Sequence, residues 1–450
     1  MLALTTPLAA GLAGCIDRPI TEVDPGQDKV ENLSFTVDLN RNLDLLFVVD
    51  NSGSMEREQL QITENFKRMI EVLETLPGGL PNIHLGVVST DVGAGASCVT
   101  PSPGPGVLRN AAMVPGCTPP SGRYIEDVDD GNGGRARNYT GALDDTFACI
   151  ATLGTDGCGF EQPLEALRLA LSPSTTLNSG FLRDDAILAV VILSDEDDCS
   201  AFNPDLFTSN TDVLGPRENF RCFEQGIECD GVDPHTEGVR ENCVPRSDSP
   251  YITPIEEYVD FLRGLKRSDN QLVVAGILGD ASPVRIGRNE RNNLDVLRSC
   301  DIGVNDPQGA FPPIRTDALL AQFPRSVRTR ICDADLSPAI VEVAQVIRDS
   351  LLPACVLGNL VDANPAVAGI QADCSVVETQ HPGAADEATA ILPQCGPTNP
   401  ADAPTTPCWS IQVDEEVCDF TASHREVAAH YPSTEPRDPD TLIDVQCQTQ

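Results

Sequence analysis

Residues 43–55 read LDLLFVVDNSGSM, an almost unbroken apolar run that ends in Asp50 and is followed by serines at every second position. A strand this continuously apolar is covered on both faces, as in a parallel sheet. Beyond it, an extended chain turns alternate residues the same way, so Asp50, Ser52 and Ser54 converge on one point, with Gly53 permitting the bend. One carboxylate and two hydroxyls are hard oxygen donors. They suit Mg2+, Mn2+ or Ca2+ and not metals that prefer sulfur or nitrogen.

Similar apolar runs recur at 83–88, 186–193 and 272–278. Helical spacing lies between them. Ile62, Phe66, Met69, Leu73 and Leu76 share one face of 55–76; Thr253-Pro254-Ile255-Glu256 opens a helix with Tyr258, Leu262 and Leu265 inward. Ser337-Pro338 opens another, with Ile340, Val343, Ala344, Ile347 and Leu351 on one stripe and Pro353 as its stop. Alternating strands and helices predict a doubly wound α/β domain with a mostly parallel sheet. In such sheets ligands collect beyond the carboxyl ends of the strands, where strand order reverses, which is where Asp50 falls.

Asp50-x-Ser52-x-Ser54 after a buried strand resembles the metal-ion-dependent adhesion site (MIDAS) of von Willebrand factor type A (vWA) domains. The resemblance covers residues 41–354 and implies a six-stranded, mostly parallel sheet wrapped by helices. It also implies a metal completed by a threonine from a second loop and an aspartate after the fourth strand. Asp195 in AVVILSDEDDCS matches the aspartate. The threonine normally stands five and six residues before an Ala-Leu pair, and in GCGFEQPLEALRLAL that place is held by Glu161. Thr140 and Thr155 are the alternatives. With Glu161, the expected ligand set is Asp50, Ser52, Ser54, Glu161 and Asp195, and the expected ion Mg2+ or Ca2+. The run Glu196, Asp197, Asp198 reads as a solvated loop, and EDVDDGNGGRARN (126–138) fails EF-hand spacing and reads as a turn.

The chain has 450 residues, 17 cysteines and a formal net charge of −38, which repels nucleic acid and anionic lipid and favours cations. Residues 1–15, ending Leu12-Ala13-Gly14-Cys15, resemble a lipoprotein signal peptide with its lipobox, Cys15 being the lipidated residue. The remaining sixteen cysteines fall in even groups: Cys98 and Cys117; Cys149 and Cys158; Cys199, Cys222, Cys229 and Cys243; Cys300 and Cys332; Cys355, Cys374, Cys395, Cys408, Cys418 and Cys447. Pairing within each group is possible, and disulfides of open connectivity are expected, because an exported chain forms them and no Cys-x-x-Cys suggests zinc. Residues 16–40 read as an acidic tether in which Phe35 and Val37 suit an edge strand. Stretches near 93–138 and 199–249 read as disulfide-pinned insertions, and 355–450 as a small Cys-rich appendage containing Trp409.

Walker A, Gly-x-Ser-x-Gly and His-Glu-x-x-His patterns are all absent from the sequence. An aspartyl-nucleophile phosphotransferase like the haloacid dehalogenases needs an acid two residues after the nucleophile, and Ser52 stands there. The expectation is therefore a non-enzymatic, lipid-anchored adhesion protein of the bacterial cell envelope, at the outer membrane. It would grip an acidic group on a protein partner through its cation and bind no nucleic acid. A periplasmic scaffold with a purely structural metal is the alternative.

Overall fold

The computed structural model describes residues 29–449 except 37–40, 77, 96–97, 99–102, 113, 218, 268, 304–305, 353, 357, 365, 367–369, 382–385, 416–417, 419–420, 422, 435–436 and 438–440. Cys15, Val37 and Pro353 lie outside the described residues. The strands used below are β1 (Lys29–Thr36), β2 (Asn42–Val49), β3 (Asn82–Ser89), β4 (Ile125–Asp129), β5 (Arg135–Arg137), β6 (Ile187–Leu193), β7 (Leu272–Leu278) and β8 (Ser326–Arg330). The helices used below are α1 (Glu56–Leu73), α2 (Leu143–Ala151), α3 (Pro163–Leu171), α4 (Ile255–Gly264), α5 (Ile314–Leu320) and α6 (Ser337–Leu351).

The central sheet runs β8-β7-β6-β2-β3-β4-β5. Its first five strands in this order are mutually parallel; β4 pairs antiparallel with β3, and β5 antiparallel with β4. Seven strands replace the expected six. The addition comes from the 93–138 stretch, which is not wholly a surface excursion: its end folds into β4 and β5, joined by a turn in which Asp130 accepts bonds from the Asn132 and Gly134 amides at 2.8 and 2.9 Å. Chain order proceeds outward from β2 through β3 on one side and resumes at β6 on the other, so the reversal lies between β2 and β6.

Both faces are covered, as the apolar strands require. On β2, Leu43, Leu45, Phe47 and Val49 enter a core shared with α1, α2 and α6, where Phe66 and Phe147 stack at 3.9 Å. Leu46 and Val48 point the other way, into a core with α3, α4 and α5. Asp44 belongs to that second face and is fully buried. It accepts bonds from the Arg183 backbone amide at 2.7 Å and from Arg183 Nε at 2.8 Å, with the Lys266 ammonium 3.8 Å away. Burial still holds its carboxyl above the ordinary range.

The C-terminal region has its own core, Val356, Val376, Trp409, Val427, Ile443 and Val445, between two antiparallel sheets. One of these takes β1, and with it Phe35, as an edge strand paired with Leu442–Thr449 over eight register positions. Among the described residues no helix is long and apolar enough to cross a membrane.

All sixteen cysteines after Cys15 are paired, as disulfides, though two of the pairs cross between sequence groups. Cys98 joins Cys158 and Cys117 joins Cys149, exchanging partners between the first two groups. The cause is that the 93–138 stretch folds back over α2 and the loop before α3. The others are Cys199–Cys222, Cys229–Cys243, Cys300–Cys332, Cys355–Cys418, Cys374–Cys447 and Cys395–Cys408.

Two outcomes test this architecture. Arg183→Ala should cost about 3–5 kcal/mol in urea unfolding, because it strands a buried carboxylate; a wild-type midpoint would show that Lys266 alone neutralises Asp44. Protein from an oxidising host, denatured without reductant, should yield no thiol from the sixteen paired cysteines and all sixteen after reduction.

Candidate functional site

Asp50 leaves the carboxyl end of β2 with no exposed surface. Its Oδ1 accepts the Ser52 amide at 2.8 Å and its Oδ2 the Ser194 hydroxyl at 2.6 Å. The Ser52 and Ser54 hydroxyls are 3.2 Å apart, placing both on one side of the bend at Gly53. Serines after a strand commonly cap the next helix. Here they do not: the N-cap of α1 is Met55, with no side-chain cap bond.

Three neighbours hold this loop rigid. Gln59 of α1 donates to Asp50 O and Gly154 O, both at 2.9 Å, and accepts from the Leu153 amide at 2.8 Å. Asn51 accepts the Ser89 hydroxyl at 2.5 Å and, through its carbonyl, the Gly157 amide at 2.9 Å. A side chain at 157 would put a Cβ 2.6 Å from Asn51 O, so only glycine fits there.

Glu161, directly before the α3 N-cap, is 1% exposed. Its Oε2 accepts the Thr90 hydroxyl, while Oε1 is buried with no hydrogen-bond partner. Asp195, after β6, is 6% exposed, and its Oδ1 is likewise buried and unpartnered. Burial raises both carboxyls, and the charge of Asp50 is the next largest cause for each; Asp195 is pushed up to about 8, against the pull of a hydrogen bond from Ser54. Asp50 is itself raised by burial, against bonds from Ser194 and Ser52. Two orphaned carboxylate oxygens inside a protein call for a proton or a cation.

The five sequence-derived positions thus lie at neighbouring loops on one end of the sheet. Thr140 is exposed ahead of α2, and Thr155 is half-buried in the loop after it. Among the described residues no group of three or more His, Cys, Asp or Glu is placed so as to hold a metal ion. The donors here are mixed, carboxylates with hydroxyls. They fit a hard divalent cation in type and in their unsatisfied oxygens.

The acidic run after Asp195 is not a solvated loop. Asp198 is 1% exposed and Asp197 half-buried. Asp197 accepts the Arg315 and Thr316 amides at the start of α5, at 3.0 and 3.2 Å, and burial pushes it up to about 7. Asp198 accepts the Leu164 amide at the start of α3 at 3.1 Å and pairs with Arg315 at 3.1 Å. Negative charge is favourable at helix starts. Sequence reading missed these roles, and those of Ser194, Thr90 and Gln59, because each depends on a partner remote in the chain. Only Ser194, adjoining Asp195, carried a local hint.

No family model matches the sequence, and no curated protein matches it. Among solved structures, the pilus adhesin SpaC of Lactobacillus rhamnosus GG is 12% identical over 94% of this chain and 41% of its own, with a TM-score of 0.31. The type V pilus tip protein Mfa5 of Porphyromonas gingivalis is 9% identical over 95% of this chain and 69% of its own, at 0.29. Proximal thread matrix protein 1 of the mussel byssus is 11% identical over 70% and 48%, at 0.28. The chain therefore spans less than half the length of SpaC, and bacterial pilus adhesins are among its structural neighbours.

Proposed function

We propose that this chain is a divalent-cation-dependent adhesion protein whose residues 41–354 form a vWA-type domain. Asp50, Ser52, Ser54, Glu161 and Asp195 hold the ion. The observation that carries the reading is the pair of buried, unpartnered oxygens, Glu161 Oε1 and Asp195 Oδ1, beside Asp50 at the strand-order reversal. The uncapped start of α1 supports it, since it leaves the serine hydroxyls available. Three carboxylates around one divalent ion favour constitutive occupancy by Ca2+ and attract an outside acid less than a site with threonine in place of Glu161 would. A partner's carboxylate would approach past Gly53 and Ser54, the exposed and half-exposed members of the loop. The sixteen paired cysteines support an extracytoplasmic setting, and Cys15 would anchor the chain by lipid at the cell envelope.

A purely structural metal is the second reading, favoured by depth: Asp50, Ser52, Glu161 and Asp195 are all 6% exposed or less. Capture of acidic peptides in Ca2+ but not in chelator supports adhesion; tight Ca2+ without capture supports the structural role.

Calorimetry tests the site. Asp50→Ala should abolish stoichiometric Ca2+ and Mg2+ binding. Glu161→Thr should weaken cation affinity and strengthen capture of acidic ligands; unchanged affinity would remove Glu161 from the ligand set in favour of Thr140 or Thr155.

The pH dependence has a definite sign. Burial pushes the Asp195 carboxyl from 3.8 up to about 8 in the folded chain, so between those values the folded state holds a proton that the unfolded state releases. Metal-free stability should then fall as pH rises through this window, and saturating Ca2+ should offset the loss. Urea midpoints in chelator should decline from pH 5 to pH 8 for wild type and decline less for Asp195→Asn. Equal slopes would place the titration elsewhere.

A further inference from the structure

The loops that carry Asp195 and Glu161 are joined by more than proximity. The Cys199 amide donates to Glu161 O at 2.8 Å. Asp198 Oδ1 takes the Leu164 amide three residues after Glu161, and the Ser200 hydroxyl donates to Asp198 while accepting the Glu165 amide at 2.9 Å. Arg315 closes the arrangement from a third element. It has no exposed surface, its Nε and Nη2 each lie 3.1 Å from Asp198 Oδ2, and its Nη2 also donates to Thr253 O at 2.7 Å. The segment leading into α5 is bound to the same loop, since the Phe311 amide donates to Asp195 O at 2.7 Å.

We propose that Asp198 and Arg315 are positioning residues that fix the separation of Asp195 and Glu161 and thereby set the affinity and selectivity of the cation site. The inference rests on the cation-binding reading given above. Asp198 is three residues from one proposed ligand and its carboxylate accepts an amide of the helix that begins two residues after the other, so it is the side-chain link that reinforces the Cys199–Glu161 backbone bond between the two loops. Arg315 fixes that carboxylate. Its guanidinium is held by Thr253 O, so Asp198 cannot rotate without stranding a buried charge. Ions that differ in size and coordination number, as Ca2+ and Mg2+ do, are distinguished by the rigidity of such a frame.

The test compares wild type, Asp198→Asn, and the double variant Asp198→Asn/Arg315→Met by calorimetry with CaCl2 and MgCl2 on the full chain. The double variant removes both buried charges at similar volume and so retains the fold. Expected is an affinity loss of about 10–100-fold in both variants, with a changed Ca2+/Mg2+ ratio. Wild-type affinity and ratio in the double variant would overturn the proposal, because the single variant would then have acted only by stranding Arg315. Should Asp198→Asn fail to fold, Ser200→Ala tests the same link by removing the Ser200 hydroxyl bonds, with a smaller loss expected and no loss overturning it. A wild-type chain that binds neither ion overturns the functional reading and this inference with it, whereas cation binding that is equal in all variants overturns the inference alone.

Discussion

Carboxylates gathered away from water need a counter-charge, and much of this domain is arranged around how each one finds it. At the foot of the sheet Asp44 is met by Arg183 and Lys266, cations supplied by the chain. At the opposite end Asp50, Glu161 and Asp195 meet hydroxyls, amides and one another. Asp44 and Asp50 stand at opposite ends of the same strand, β2, and their surroundings differ chiefly in whether the sequence provides a positive side chain. The sheet thus neutralises one buried acid, Asp44, with cationic side chains and leaves three others at its opposite end to hydroxyls, amides and raised proton affinity.

The surroundings of the open cluster are correspondingly stiff. Gln59 joins the end of β2 to the loop after α2, Gly157 lets that loop touch Asn51, and disulfides Cys98–Cys158 and Cys199–Cys222 begin three residues before Glu161 and four after Asp195. The cluster Ala94, Phe160, Leu206, Phe207 and Ile252 packs around those bridges. A small apolar core thus sits on the insertions rather than under them, which makes the long loops part of the scaffold of the site.

Four of the sheet strands were legible in the sequence because strands buried on both faces read as unbroken apolar runs. β8 was not: its SVRTR sequence carries Arg328 and Arg330, which an edge strand tolerates by pairing them with Asp317, Asp280 and Asp333. β4 and β5 were hidden in a stretch whose Gly and Asp content signals turns. At the site, the spacing of Asp50, Ser52 and Ser54 and of Glu161 before Ala166-Leu167 was local and therefore readable. The exchange of disulfide partners and the inward turn of Asp197 and Asp198 were not, since a charge run is read as solvated unless its buried partner, here Arg315, is known to come back to it.

The pairing of β1 with Leu442–Thr449 bears on how the chain reaches its folded state. Lys29–Thr36 is synthesised long before the strand it pairs with, and the same late strand carries Cys447, which closes onto Cys374. The strand next in sequence, β2, cannot substitute as a partner, because it is flanked on both sides by β3 and β6. The C-terminal sheet is therefore completed across a loop of roughly four hundred residues, the widest among the described residues, where closure entropy is large and contact formation slow. Until it closes, an early strand and a late one both present unpaired edges to any neighbouring chain. Loss of residues 442–449 would make that interval permanent.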